Sequence, residues 1–236
     1  MNLILLEPED FEAPERVRLE GRRAEHVIRV LRAAYGDTLR VGLVDGDCGA
    51  ATVLALAEGA VELRVALSEP PPEPSALRLV LALPRPPALR RVLRFAAAFG
   101  VKRIGLLHSA RVEKSFWQSS QLRPDEMGEQ LRLGLEQARD TVLPRVSLHR
   151  RFRPFVEDEL PGWLAQAPGL IGHPEAAEPC PHALATAATV IVGPEGGWLP
   201  RELEMLEHAG ARCVALGARP LPVDTAVVAL LARLTP

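Results

Sequence analysis

Residues 188–198 read Ala-Thr-Val-Ile-Val-Gly-Pro-Glu-Gly-Gly-Trp, and a helical pattern opens directly after them at Leu199-Pro200-Arg201-Glu202-Leu203. A β-branched run bounded by glycine reads as a buried strand. The glycines permit backbone angles and close approaches that a side chain forbids. Bare amides between a strand end and a helix start make a seat for a ligand that needs main-chain donors. Two other segments have the same form: Gly172-His173-Pro174, and Leu216-Gly217-Ala218-Arg219-Pro220-Leu221-Pro222. In open α/β sheets, ligands bind at the carboxyl ends of strands. Three such ends side by side would form one pocket of amides and carbonyls, suited to a neutral base and ribose. No Gly-Lys-Ser/Thr follows the glycines and no Gly-x-Gly-x-x-Gly occurs, so neither a triphosphate loop nor a dinucleotide fingerprint is expected. On spacing alone, ordinary tight turns remain the alternative.

The elements that must position these turns begin after Pro70-Pro71-Pro72-Glu73-Pro74, the clearest break in the chain. Proline runs favour stiff extended chain and cannot continue a sheet ladder, so a domain boundary is expected there. Beyond it, strands and helices alternate, the signature of an α/β layer structure. Strands are expected at 77–83, 101–108, 146–149, 169–172, 189–192 and 212–216. Helices are expected at 87–99, 124–140, 154–165, 200–209 and 224–234, with Gly100 and Gly210 as stops and Asp224 or Thr225 as a cap. Before the break, short runs at 17–19, 39–44, 50–56 and 60–67 read as strands, with one helix at 24–32. Asp45-Gly46-Asp47 and Glu58-Gly59 carry hairpin turn chemistry. Small strands so closely spaced suggest a compact barrel.

Composition narrows the function classes. The 236 residues are 47% hydrophobic, enough for a real core, and only 4% aromatic. No apolar run approaches the ~18 residues needed to span a bilayer. The N-terminus lacks a basic lead and a cleavage site, so a cytoplasmic protein is expected. Cys48, Cys180 and Cys213 are far apart, and no histidines have ligand spacing; buried thiols and no metal are expected. The net charge is only −2, but residues 14–40 hold seven arginines against four acids. Arg22, Arg23, Arg29 and Arg32 are the candidate RNA contacts of this stretch, weighed against an ordinary solvated face. The run Arg145/His149/Arg150/Arg151/Arg153 is a second candidate. His26 reads as a partly buried, hydrogen-bonded residue, and Ser109–Trp117 as a polar, aromatic loop open to either RNA or a dimer partner.

The chain also resembles a known family, the 16S ribosomal RNA uridine-N3 methyltransferases of the SPOUT (trefoil-knotted) class. The resemblance rests on His26-Val27-Ile28-Arg29-Val30-Leu31-Arg32, Gly36-Asp37, Asp45-Gly46, Leu81-Ala82-Leu83-Pro84, Gly100-Val101-Lys102-Arg103-Ile104, Glu136-Gln137, Leu143-Pro144, Val192-Gly193-Pro194-Glu195-Gly196-Gly197-Trp198 and Leu216-Gly217 through Thr225-Ala226. It implies an α/β fold whose C-terminal part, residues 75–236, is a SPOUT-type trefoil knot, preceded at residues 1–70 by a small PUA-like β-barrel that binds RNA. It implies S-adenosyl-L-methionine as cofactor, 16S rRNA of the small ribosomal subunit as partner, and a homodimer. Carried over to this chain, the cofactor seat comprises Gly193, Pro194, Gly196, Gly197, Leu216, Gly217, Leu221, Thr225 and Ala226, with Ile171, Gly172 and His173 on the adenine side. Arg219 is then the candidate for stabilising charge, and Glu195 for orienting the base or taking its proton. The chain departs from the family pattern at Pro222 and Asp224, where an arginine and a glutamate are usual. The same fold acting on another RNA target, and a catalytically degenerate RNA- or ribosome-binding protein, are the rival readings.

Overall fold

The computed structural model describes Asn2–Pro236, and its contacts divide them into two compact units. The first holds the described residues up to Glu73 together with Leu135–Leu143; the second holds Pro74–Gly134 and Pro144–Pro236.

The first unit is built on β1 (Ile4–Leu6), β2 (Phe11–Ala13), β3 (Arg16–Glu20), α1 (Gly21–Glu25) with a π-helical turn at His26–Leu31, β4 (Thr38–Leu43), β5 (Cys48–Ala57) and β6 (Ala60–Glu69). The strands form one sheet in the order β1-β4-β5-β6-β3-β2. Only β1 and β4 pair in parallel; the remaining pairs are antiparallel. Alternation explains the buried face. In β3, Val17 and Leu19 point inward between exposed neighbours, as the period of two requires. They join Ile4, Leu6, Val41, Val53, Val61 and Leu63 in an aliphatic core, closed by Ala24 and Val27. β1 and β2 carry no expectation from the sequence. His26 corrects one: its Nε2 is buried without a hydrogen-bond partner, and burial pushes its pKa down.

Residues 135–143 are part of this unit's structure. The Glu136 carboxylate is buried and accepts two bonds from the Arg22 guanidinium, at 3.0 and 2.9 Å. Its carbonyl accepts the Asn2 and Leu3 amides. Thr141 Oγ1 donates to the Gly46 carbonyl, and the Leu143 amide donates to Asp45 Oδ1 at 2.8 Å.

In β5, Gly49 faces Leu67 of β6 beside a register shift. A methyl group on Gly49 would overlap the Ala66 carbonyl oxygen, a main-chain atom that cannot swing away. Gly49→Ala is therefore expected to lower the unfolding free energy by about 1–3 kcal/mol. Urea denaturation reads this as a lower midpoint with unchanged slope. An unchanged midpoint would show that the two strands part freely there.

The second unit runs through β7 (Leu77–Ala82), α2 (Pro86–Ala98), β8 (Arg103–Leu107), α3 (Pro124–Ala138), whose last turn belongs to the first unit, and β9 (Arg145–His149). Next come α4 (Phe152–Pro154), a π-helical turn at Phe155–Glu159 and α5 (Leu160–Leu164), where the sequence suggests a single helix. It ends with β10 (Gly169–Gly172), β11 (Ala188–Val192), α6 (Pro200–His208), β12 (Ala211–Val214) and α7 (Val223–Leu234). All six strands are parallel, in the order β12-β10-β11-β7-β8-β9. Parallel sheets need both faces covered, and the strand residues comply: every residue of β11 is buried. α2 turns Leu89, Val92, Leu93, Ala96 and Ala97 inward and packs on α7, which buries Val227, Leu230, Leu231 and Leu234.

The cap expected at Asp224 or Thr225 is corrected. The residue before the first turn of α7 is Pro222, which caps nothing with its side chain. Asp224 lies within the first turn and pairs with Arg91 Nε of α2 at 2.5 Å. That guanidinium holds the Asp224 carboxyl below the usual carboxylate range. Cys48 and Cys180 are buried thiols, whereas Cys213 is partly exposed. Burial and the neighbouring Glu207 push Cys213 up to about 11. Among the described residues, no helix is long and apolar enough to cross a membrane.

Candidate functional site

Because the sheet is parallel, every strand presents its carboxyl end at one edge. β10 lies between β11 and β12, so the turns after these three strands are neighbours. After β10, the His173 amide continues the ladder by donating to the Val214 carbonyl at 3.0 Å. After β11, Gly193–Trp198 folds back through a bond from the Gly197 amide to the Pro194 carbonyl at 2.8 Å. Gly197 adopts φ 71° there, a left-handed conformation that favours glycine. After β12, the chain from Leu216 to Pro222 runs on without regular structure.

These turns enclose a cavity of about 510 Å³, a size typical of sites for small organic ligands. Its walls include the candidate cofactor residues Gly172, His173, Gly193, Pro194, Gly197, Leu216, Gly217, Leu221 and Ala226, and the candidate catalytic residues Glu195 and Arg219. Val192, Val214, Val223 and Leu230 supply apolar surface. Among the described residues, no hydrogen bond takes up the amides of Gly193, Leu216, Gly217 or Leu221. Unpaired donors beside apolar walls are what a purine and a ribose require, and this is the test of whether the residues fit such a group. The geometry answers that they do.

Three candidates lie elsewhere. Ile171 is fully buried in β10 and is absent from the cavity wall, as is Thr225 in the first turn of α7. Gly196 also lies off the wall. Its missing side chain instead makes room for Arg111, whose Cβ and Cδ would sit 3.3 and 3.2 Å from a methyl group there.

Arg111 belongs to the Ser109–Trp117 loop, which the sequence offers to RNA or a dimer partner but does not assign to the cavity. It follows β8 and lines the cavity. Its Nη1 donates to the Gly196 carbonyl at 2.5 Å and to the Trp198 carbonyl at 3.5 Å. The loop carrying it is anchored by Glu202, whose buried carboxylate accepts the Ala110 amide at 2.8 Å and the Leu199 amide at 2.9 Å. Glu202 thus caps the first turn of α6 through the Leu199 amide. Glu195 Oε1 instead accepts the Arg85 amide at 3.1 Å and lies 3.7 Å from Arg85 Nε. Arg219 is exposed and forms no ion pair among the described residues.

The wall is completed by Trp198. Its indole lies over Gly193 so closely that a methyl group there would fall 2.9 Å from Nε1. Phe152 supports the ring at a centroid distance of 5.8 Å.

The first unit tells a different story about its arginines. Arg22 is engaged by Glu136, and Arg23 donates to both oxygens of Asp10 and to the Leu5 carbonyl. Arg29 and Arg32 are exposed, and among the described residues no ion pair holds them.

The chain is 27% identical to a ribosomal RNA small subunit methyltransferase E from Treponema pallidum, over 98% of this chain and 90% of the relative. It is 29% identical to the protein of the same name from Synechocystis, over 92% and 72% of the two chains. Its fold matches a crystal structure of a ribosomal RNA small subunit methyltransferase E from Neisseria gonorrhoeae bound to S-adenosyl methionine, with a TM-score of 0.76 at 22% identity, over 98% of this chain and 95% of that one. A family model described as an RNA methyltransferase domain matches residues 71–235, which include every wall of the cavity, and the chain belongs to that family.

Proposed function

We propose that this chain is an S-adenosylmethionine-dependent methyltransferase acting on 16S rRNA of the small ribosomal subunit, at N3 of a uridine. The observation that carries this reading is the cavity of unpaired amides at three adjacent parallel strand ends, in a chain of the RNA methyltransferase family. In this proposal the second unit threads as a SPOUT-type trefoil knot and works as a homodimer in the cytoplasm. Residues 1–70 act as a PUA-like RNA-binding barrel and residues 75–236 as the methyltransferase domain.

When bound, S-adenosylmethionine supplies a methyl group on a positively charged sulfur. The chain's own residues do the rest. The amides of Gly193, Leu216, Gly217 and Leu221 hold base and ribose, while Val214, Val223 and Leu230 exclude water. Transfer to a uridine nitrogen requires the N3 proton to leave and negative charge to spread onto the O2 and O4 carbonyls. Glu195, a carboxylate on the wall, receives the proton. Arg219, a guanidinium without an acid partner, faces the developing charge. Preorganised donors of this kind are worth about 3–4 kcal/mol, and alignment of the two reacting atoms can supply ~7–11 kcal/mol. The target base must leave its stack to enter. Of the four N-terminal arginines, Arg29 and Arg32 are free to contact phosphate, while Arg22 and Arg23 brace the unit that presents them.

The test is transfer of a labelled methyl group to small-subunit RNA, with the product nucleoside identified by mass spectrometry. N3-methyluridine is the expected product. Label on another atom would move the reading to a different target, and absence of donor binding in calorimetry would overturn it.

A further inference from the structure

The same edge of the second unit's sheet carries more than the cavity. β8 and β9 are neighbours and end on that edge, and the turns after them hold Arg111, Lys114, Arg150 and Arg151, all exposed. None of these four forms an ion pair among the described residues. This sets them apart from Arg123 and Arg153 nearby, which pair with Asp125 and Glu126 and with Glu157. The only acid in the Arg111 loop, Glu113, accepts from Ser115 Oγ at 3.4 Å.

An aromatic plane lies beneath Arg150. The Arg150 guanidinium sits 4.9 Å above the Trp117 ring, and its Nη2 donates to the Trp117 carbonyl at 3.5 Å. Trp117 is itself fixed: its Nε1 donates to His108 Nδ1 at 2.9 Å, which leaves the histidine proton on Nε2. One face of Arg150 is thus held on an indole, and the other is presented outward. Phe152, two residues on, touches Trp198 of the cavity wall. Arg111 spans the remaining gap, bonded to the Gly196 carbonyl. The cations therefore form a path that ends at the cavity.

Arginines without acid partners, one of them held on an indole and one on a main-chain carbonyl, suit a phosphodiester chain with unpaired bases. The guanidinium takes phosphate oxygens, and its free face stacks on a base. We propose that Arg111, Arg150 and Arg151 form the surface along which a single RNA strand flanking the target base runs into the cavity. This assignment rests on the function proposed above and places an RNA contact on the catalytic unit itself.

The experiment is RNA binding measured against salt concentration, without donor, for the wild type, Arg150→Ala/Arg151→Ala and Arg151→Glu. Each phosphate contact contributes about 0.7 to the slope of log affinity on log salt for a single strand. The double variant is expected to bind roughly tenfold more weakly near 0.1 M salt, with a slope shallower by about 1.4. Donor affinity in calorimetry is expected to stay within twofold. Arg151→Glu is expected to leave folding intact, because among the described residues the Arg151 side chain makes no bond, and it should weaken RNA binding at least as much as loss of that one contact. RNA affinity and slope equal to wild type in both variants would overturn the proposal. Because binding is read without donor, that result is separate from the failure of the proposed function, which calorimetry on the wild type reads directly.

Discussion

Replacing Arg111 with alanine is expected to lower kcat/KM for methyl transfer by about 10- to 100-fold. Charge-assisted hydrogen bonds contribute about 1.5–3 kcal/mol each, and each 1.36 kcal/mol is tenfold in rate. Arg111 bonds the Gly196 carbonyl at 2.5 Å, and its stem fills the space beside Gly196. Removing it therefore releases the turn that carries Glu195 and leaves a carbonyl without its donor. Donor affinity should change little, because the amides after β12 still hold the donor, so the loss should fall on kcat and on the KM for RNA. Arg111→Lys keeps the charge but loses the planar fork, so it should recover part of the rate. Steady-state kinetics decides: an alanine variant with wild-type kcat would show that the turn keeps its shape unaided.

Gly193→Val is expected to weaken donor binding at least 100-fold and to destabilise the second unit. The indole of Trp198 leaves no room, since a methyl group at Gly193 would lie 2.9 Å from Nε1 and 3.1 Å from Cδ1 and Cε2. That ring is buried and backed by Phe152, so either it swings into the cavity or the strand end shifts. Overpacking of this kind costs about 1–3 kcal/mol. Calorimetry with S-adenosylmethionine reads the first effect and urea denaturation the second. The double variant Gly193→Val/Trp198→Ala should regain stability relative to the single one, because the two groups share one space. Unchanged donor affinity in Gly193→Val would remove Gly193 from the site.

The sequence made the cavity legible because its signal is local. An apolar strand followed at once by glycine and proline announces a strand end, and three repeats of that pattern lie on β10, β11 and β12. What was not legible depends on partners far along the chain. Arg111 is one arginine in a polar loop until Gly196, 85 residues later, accepts its hydrogen bond. The available hint was its place just after an apolar strand, because a parallel sheet delivers every such loop to the same edge. Asp224 reads as a cap, yet it answers to Arg91, 133 residues earlier. Arg22 reads as a surface cation, yet Glu136 engages it across 114 residues. Periodicity also fails in short elements. Ile4–Leu6 spans three residues, all buried, and three residues carry no period to read. In Phe152–Leu164 the pattern is helical throughout, but Pro154 and Pro161 each lack an N–H to donate, and a π-helical turn lies between α4 and α5.

Because Leu135–Leu143 belong to the first unit, that unit cannot be completed from its own stretch of gene. A nascent chain that has just cleared Glu73 lacks the carboxylate for Arg22 and the acceptor for the Leu3 amide. It must wait while about as many codons again are read before residue 143 emerges, and contacts so distant in sequence form slowly. Translation therefore sets the order of assembly, and an N-terminal fragment cut at the proline run would stay unfinished however long it was given.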